Sequence, residues 1–147
     1  LNLITDADTM RLMRHGPYMV EINLISNLML GYYANYSQHP FPEYLRIGIP
    51  VALSTDDRGM WDSTMTDEFY VAVTEFNLSW TEVKRLSENS LRYAFVGKTV
   101  KNDLLETFQR RISKFEKTAS KSGAVGFSAQ SAPRKGFICK RYNICKL

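Results

Sequence analysis

Apolar and polar positions alternate between helical and extended spacing along the chain, and the changes of period predict a succession of short elements. Thr5 or Asp6 can cap a first helix whose apolar face carries Met10 and Met13, and Gly16-Pro17 ends it. A strand is expected from Tyr18 to Leu24, apolar on both faces at first and alternating afterwards, with Ser26-Asn27 opening a loop. Residues 31–40 mix aromatics with turn formers and suit an ordered loop or a short helix. A helical turn from Pro42 to Ile47 ends at Gly48, and Ile49 to Ser54 form a second, continuously apolar strand.

Three helices are expected beyond it. One runs from Met65 to Phe76 with Asp67 and Glu68 in its first turn, where acidic groups suit the helix dipole. The next opens on the capping box Ser79-Trp80-Thr81-Glu82 and repeats Val83, Leu86, Leu91 and Phe95 to about Val96. The last repeats Val100, Leu104, Phe108, Ile112 and Phe115 and reaches about Lys117. This order is that of parallel α/β architecture, yet two strands do not complete a parallel sheet covered on both faces. The chain also opens on Leu1 without an initiator methionine, so the expectation is a piece of a longer polypeptide.

Charge divides the chain. All 15 acidic and 13 of the 19 basic side chains lie in residues 1–119, while the last 28 residues hold six basic side chains and no acidic one. Residues 1–118 are therefore read as the folded body and 119–147 as a basic, flexible or docked tail. Because the high pI comes from that tail, the basic-patch argument for nucleic acid does not reach the body. Lys135, Lys140, Arg141 and Lys146 offer at most a weak phosphate patch. No apolar run approaches a membrane span, and no signal-peptide layout is visible at the N-terminus. Cys139 and Cys145 fit neither a metal or redox C-x-x-C nor a secreted disulfide framework, which leaves a cytoplasmic location as the default.

The candidate chemistry sits in Val51-Ala52-Leu53-Ser54-Thr55-Asp56-Asp57-Arg58-Gly59, an apolar strand ending in two consecutive carboxylates. Active groups of parallel barrels gather at strand C-termini, and alternation at a strand end, or a turn between adjacent carboxylates, lets one face a cation and the other a substrate. A solvated turn is the plain alternative. Further motifs stand around this stretch in a fixed order. They are Val20 to Asn27, His39-Pro40-Phe41-Pro42, Ser63-Thr64-Met65-Thr66-Asp67-Glu68-Phe69, Asn77-Leu78-Ser79 and Glu88-Asn89-Ser90-Leu91 followed by Ala94-Phe95. Together the series resembles the adenosine deaminase family over residues 1–96.

That resemblance implies an α/β fold, the C-terminal portion of a TIM-type (β/α)8 barrel followed by C-terminal helices. It also implies one zinc ion, with water attacking C6 of a purine nucleoside or nucleotide and ammonia leaving. Asp56 would be the zinc ligand that orients the attacking water, and Asp57 would bind a purine ring nitrogen. The family's paired histidines, catalytic glutamate and Gly-His-Gly histidine have no match within the 147 residues and are expected upstream of Leu1. The chain alone should then have negligible activity, because one carboxylate does not complete a tetrahedral zinc site. Arg58 stands where many members carry proline or an acidic residue, a change that could favour an anionic substrate, and the basic tail has no counterpart.

Lesser candidates have ordinary readings. His15 in Arg14-His15-Gly16 suits a helix terminus, His39 a structural position, and Tyr32, Tyr33, Tyr36, Met60 and Trp61 either a purine-facing rim or packing. The alternative to an enzyme is a non-catalytic barrel-derived binding or assembly module.

Overall fold

The computed structural model describes residues 2–122 and 137–142. A 3-10 turn at Asn2–Thr5 leads into α1 (Ala7–His15). Asp6 caps α1, its Oδ1 accepting the backbone N–H groups of Asp8 and Thr9 at 3.1 and 3.0 Å. β1 (Val20–Ile22) follows, then α2 (Leu24–Met29), a 3-10 turn at Tyr36–Gln38, α3 (Phe41–Arg46) and β2 (Val51–Leu53). The two strands pair in parallel, with Val20 opposite Val51 and Ile22 opposite Leu53. Two flanking bonds lengthen the ladder, from Val20 N to the Pro50 carbonyl and from Ser54 N to that of Ile22, both 2.9 Å.

α4 (Arg58–Trp61), α5 (Met65–Phe76), α6 (Trp80–Arg92) and α7 (Lys98–Ser122) complete the body. Reciprocal capping boxes fix the starts of α5, through Thr64 and Asp67, and of α6, through Ser79 and Glu82. α6 packs on β2, and the buried Asn89 amide donates to the Val51 carbonyl at 2.8 Å, tying the helix to the strand. The core lies between the sheet and the helices and includes Leu24, Ile25, Phe41, Tyr44, Val51 and Val71. Arg46 joins three elements by donating to Glu82 of α6 at 3.1 Å and to the Phe76 carbonyl at the end of α5 at 3.3 Å.

Parallel β-α-β connection with helices against the sheet is the architecture expected of part of a (β/α)8 barrel, at different boundaries. The first strand covers Val20–Ile22 rather than Tyr18 to Leu24, and Ser26-Asn27 lie inside α2 instead of opening a loop. The cause is long-range: Glu68 of α5 accepts the Leu24 and Ile25 N–H groups and so starts a helix that local sequence does not announce. α5 coincides with its expected range, whereas α6 ends at Arg92, four residues before Val96, leaving Phe95 fully exposed. α7 extends to Ser122, past both Lys117 and the expected body boundary at 118, and its Phe115 ring lies 5.5 Å from that of Trp80.

Part of the basic segment is also structured. α8 (Phe137–Tyr142) packs against α5, Phe137 is buried in the core, and the Tyr142 hydroxyl donates to Glu75 at 2.5 Å. Lys135, Cys145 and Lys146 lie outside the described residues. Among the described residues, no helix is long and apolar enough to cross a membrane.

Candidate functional site

β2 delivers Asp56 just past its C-terminal end, where the chain turns after three buried strand residues and the half-buried Ser54 and Thr55. Asp56 makes that turn in the left-handed region, at φ 51°, which costs a non-glycine residue about 1–2 kcal/mol and is best tolerated by Asp and Asn. The next residue, Asp57, begins α4, its carbonyl accepting Met60 N and Trp61 N at 3.0 and 3.2 Å, while its side chain makes no cap bond. Both aspartates are exposed, and they meet different environments. Asp56 Oδ2 accepts the Ser26 hydroxyl at 2.7 Å. Asp57 presents its carboxylate to solvent from the start of α4. Of the two expected ways to part the carboxylates, a turn at Asp56 is the one present.

α2 sets the second wall. It starts directly after β1, so it belongs to the same C-terminal edge of the sheet as Asp56. Ser26 holds Asp56, and the adjacent Asn27 meets His39, its Oδ1 lying 3.0 Å from the ring Nε2. His39 Nδ1 accepts the Phe41 N–H at 3.1 Å. That pattern requires the Nε2–H tautomer, and a second proton on Nδ1 would face an N–H group. Burial drives the imidazole further the same way, pushing its pKa down to about 4. The ring is walled by Tyr33, Phe41 and Phe76. His39 is therefore a neutral histidine whose two ring nitrogens are engaged by Asn27 and the Phe41 N–H.

Beneath α2 lies a group that sequence reasoning assigned to the helix dipole. Glu68 has no exposed surface, and its carboxylate accepts Leu24 N at 2.8 Å through Oε2 and Ile25 N at 3.2 Å through Oε1. Burial pushes its pKa up to about 7, the two backbone N–H groups pull it down, and the neighbouring Asp67 and Asp56 charges raise it further. A signal for its placement was available: Glu68 stands at i before Val71 and Ala72, on the buried stripe of α5.

The remaining candidates disperse. His15 ends α1 before β1, at the opposite edge of the parallel sheet from Asp56, and is exposed. Tyr32 and Met60 are exposed beside the site's loops, Tyr36 is buried, and Trp61 packs against the core. Among the described residues, no three side chains of metal-ligating type come together. Asp56 nevertheless has the character of one oxygen ligand, since a single hydroxyl bond occupies Oδ2 and the exposed carboxylate keeps further lone pairs for a cation.

The family model described as adenosine deaminase matches residues 1–111. An adenosine deaminase of Shewanella halifaxensis is 33% identical over 106 residues, covering 72% of this chain and 32% of the relative. In fold, the chain is similar to an adenine deaminase from Arthrobacter aurescens, with TM-score 0.70 and 25% identity over 75% of this chain and 34% of that one. It is likewise similar to an N6-mAMP deaminase from arabidopsis, with TM-score 0.64 and 25% identity over 71% and 31%. The chain spans roughly a quarter to a third of the curated relatives it matches. With a family model covering most of its length and a parallel β-α-β core superposable on deaminase barrels, the chain belongs to the adenosine deaminase family.

Proposed function

We propose that the protein to which this chain belongs hydrolytically deaminates adenosine or an adenine nucleotide, with Asp56 as a metal ligand and Asp57 as a substrate ligand. The observation that carries this reading is Asp56 itself: an exposed carboxylate at a strand C-terminus, bent into a costly left-handed turn and steadied by Ser26. The similar proteins support the substrate class. Their names specify adenine, adenosine and N6-mAMP, which differ in what the purine carries and share a nitrogen substituent at C6.

Zinc is the metal we assign, and when bound it lowers the pKa of a coordinated water to about 7. Asp56 would hold it together with ligands outside the described residues. Asp57, one residue further and outside the Ser26 bond, would hydrogen-bond a purine ring nitrogen. Arg58, exposed in the first position of α4, would meet the phosphate of a nucleotide. Residues 1–118 would supply this barrel edge, with 119–147 as an appended basic segment.

In the full-length protein, Asp56→Asn should remove most deaminase activity and release zinc more readily to a chelator. Asp57→Asn should raise KM and lower kcat while leaving zinc bound. Turnover of adenosine, AMP and ATP, each with Arg58→Ala alongside, reads the anion preference. Full activity and full zinc occupancy in Asp56→Asn would refute the assignment and favour a non-catalytic binding or assembly module.

A further inference from the structure

α2 is six residues long, too short to be stable by its own hydrogen bonds, and its orientation must come from what grips its ends. Its N-cap residue, Asn23, makes no side-chain cap bond. The first two N–H groups of the helix go instead to one carboxylate, Glu68, 43 and 44 residues away in α5. The third residue of the helix, Ser26, donates to Asp56 at 2.7 Å. Glu68, α2, Ser26 and Asp56 form one continuous line of contacts, and no part of Glu68 is exposed to solvent.

A carboxylate is a costly choice for a wholly buried position unless its charge or its acceptors are needed. Leu24 N and Ile25 N are adjacent donors that both point at the end of one side chain, and only a carboxylate offers an acceptor oxygen to each. A glutamine would turn its NH2 toward one of them. A purely packing role, such as that of the neighbouring Val71 and Ala72, would be met by an apolar side chain at lower cost.

We propose that Glu68 is a positioning residue for Asp56: by clamping the start of α2 it sets where the Ser26 hydroxyl stands, and Ser26 in turn fixes the Asp56 carboxylate. This rests on the reading of Asp56 as the working carboxylate. Glu68 touches neither substrate nor metal in this scheme. Its effect is geometric, and misplacement of a reacting group by about 1 Å can cost on the order of 100-fold in rate.

The test uses Glu68→Gln, Ser26→Ala and the double variant in the full-length protein, with Tyr44→Phe as a control that removes the 3.0 Å bond from Ile4 N, a contact outside the Glu68, α2, Ser26 and Asp56 line. Glu68→Gln should lower kcat at least tenfold with KM little changed, weaken zinc retention against a chelator, and speed amide exchange in residues 24–30. Ser26→Ala should lower kcat and zinc retention while leaving exchange at Leu24 and Ile25 slow. The double variant should be no worse than the worse single one, because both act through the same bond to Asp56. Tyr44→Phe should change none of these.

Faster exchange in α2 with unchanged kcat and zinc retention would overturn the proposal, and so would effects of the two substitutions that multiply. Glu68→Asp keeps the charge but retracts it by about 1.5 Å. It should fold even where the glutamine variant does not, and it must show the same non-additivity with Ser26→Ala. The two readings fail separately: an active, zinc-loaded Asp56→Asn removes the site assignment, whereas an inactive Asp56→Asn with multiplying Glu68 and Ser26 effects removes the positioning role alone.

Discussion

Glu68 and His39 carry opposite pH dependences that offset each other in the native chain, and replacing one should unmask the other. Burial lifts the Glu68 carboxyl from 4.5 to about 7, so the folded state keeps a proton that the unfolded chain gives up. Its contribution to stability is present below pH 4.5 and is lost as pH rises to about 7. His39 is pushed from 6.5 down to about 4, so the folded state refuses a proton that the unfolded chain accepts. That contribution is present above pH 6.5 and is lost as pH falls toward 4. Each displacement amounts to about 3 kcal/mol across its window. Between pH 4.5 and 6.5 the two slopes, about 1.4 kcal/mol per pH unit each, run against one another. Glu68→Gln deletes the first and leaves the second. Its stability should therefore climb by about 3 kcal/mol from pH 4.5 to 6.5 and level off above, while the native chain stays nearly flat over the same interval. The variant also leaves one N–H of α2 unpaired, a loss of about 1–3 kcal/mol that applies at every pH and shifts the curve without tilting it. Urea unfolding at half-unit steps from pH 4.5 to 8, followed by far-UV circular dichroism, measures both curves. Parallel curves for the two proteins would refute the reasoning, since they would mean that Glu68 titrates alike in the folded and unfolded states.

Two further perturbations test the frame that holds the site. Asn89→Ala removes the side-chain bond from α6 to the β2 backbone and strands the Val51 carbonyl, so the unfolding free energy should drop by about 1–3 kcal/mol with the m-value unchanged. Gly48 sits at φ 90° just before β2, with no backbone neighbour to obstruct a methyl group, so Gly48→Ala should cost about 1–3 kcal/mol through conformation alone, read as a lowered denaturation midpoint.

What the sequence disclosed and what it hid follow the distance between partners. The capping box at Ser79 joins residues three apart and gave the start of α6 correctly, and the acidic pair Asp67 and Glu68 marked the first turn of α5, where the structure adds a second box through Thr64. The apolar run Ile49 to Leu53 and the two carboxylates after it are contiguous, so the strand and the turn that presents Asp56 were legible as well. α2 was not. Ser and Asn favour turns and caps, and Ser26-Asn27 therefore read as a loop, because the groups that make them helical lie across the fold: Glu68 at the helix start, Asp56 on Ser26 and His39 on Asn27. Glu68 itself was read as a dipole partner because it falls in the first turn of α5. Yet Thr64 and Asp67 already satisfy that turn, and Val71 and Ala72 place the Glu68 side chain on the inward stripe. A carboxylate on a buried stripe, after a helix start that does not need it, must find donors on another element. The elements that precede its own strand in a parallel β-α-β unit expose their N-termini at that same edge of the sheet, which makes the first turn after β1 the place to look.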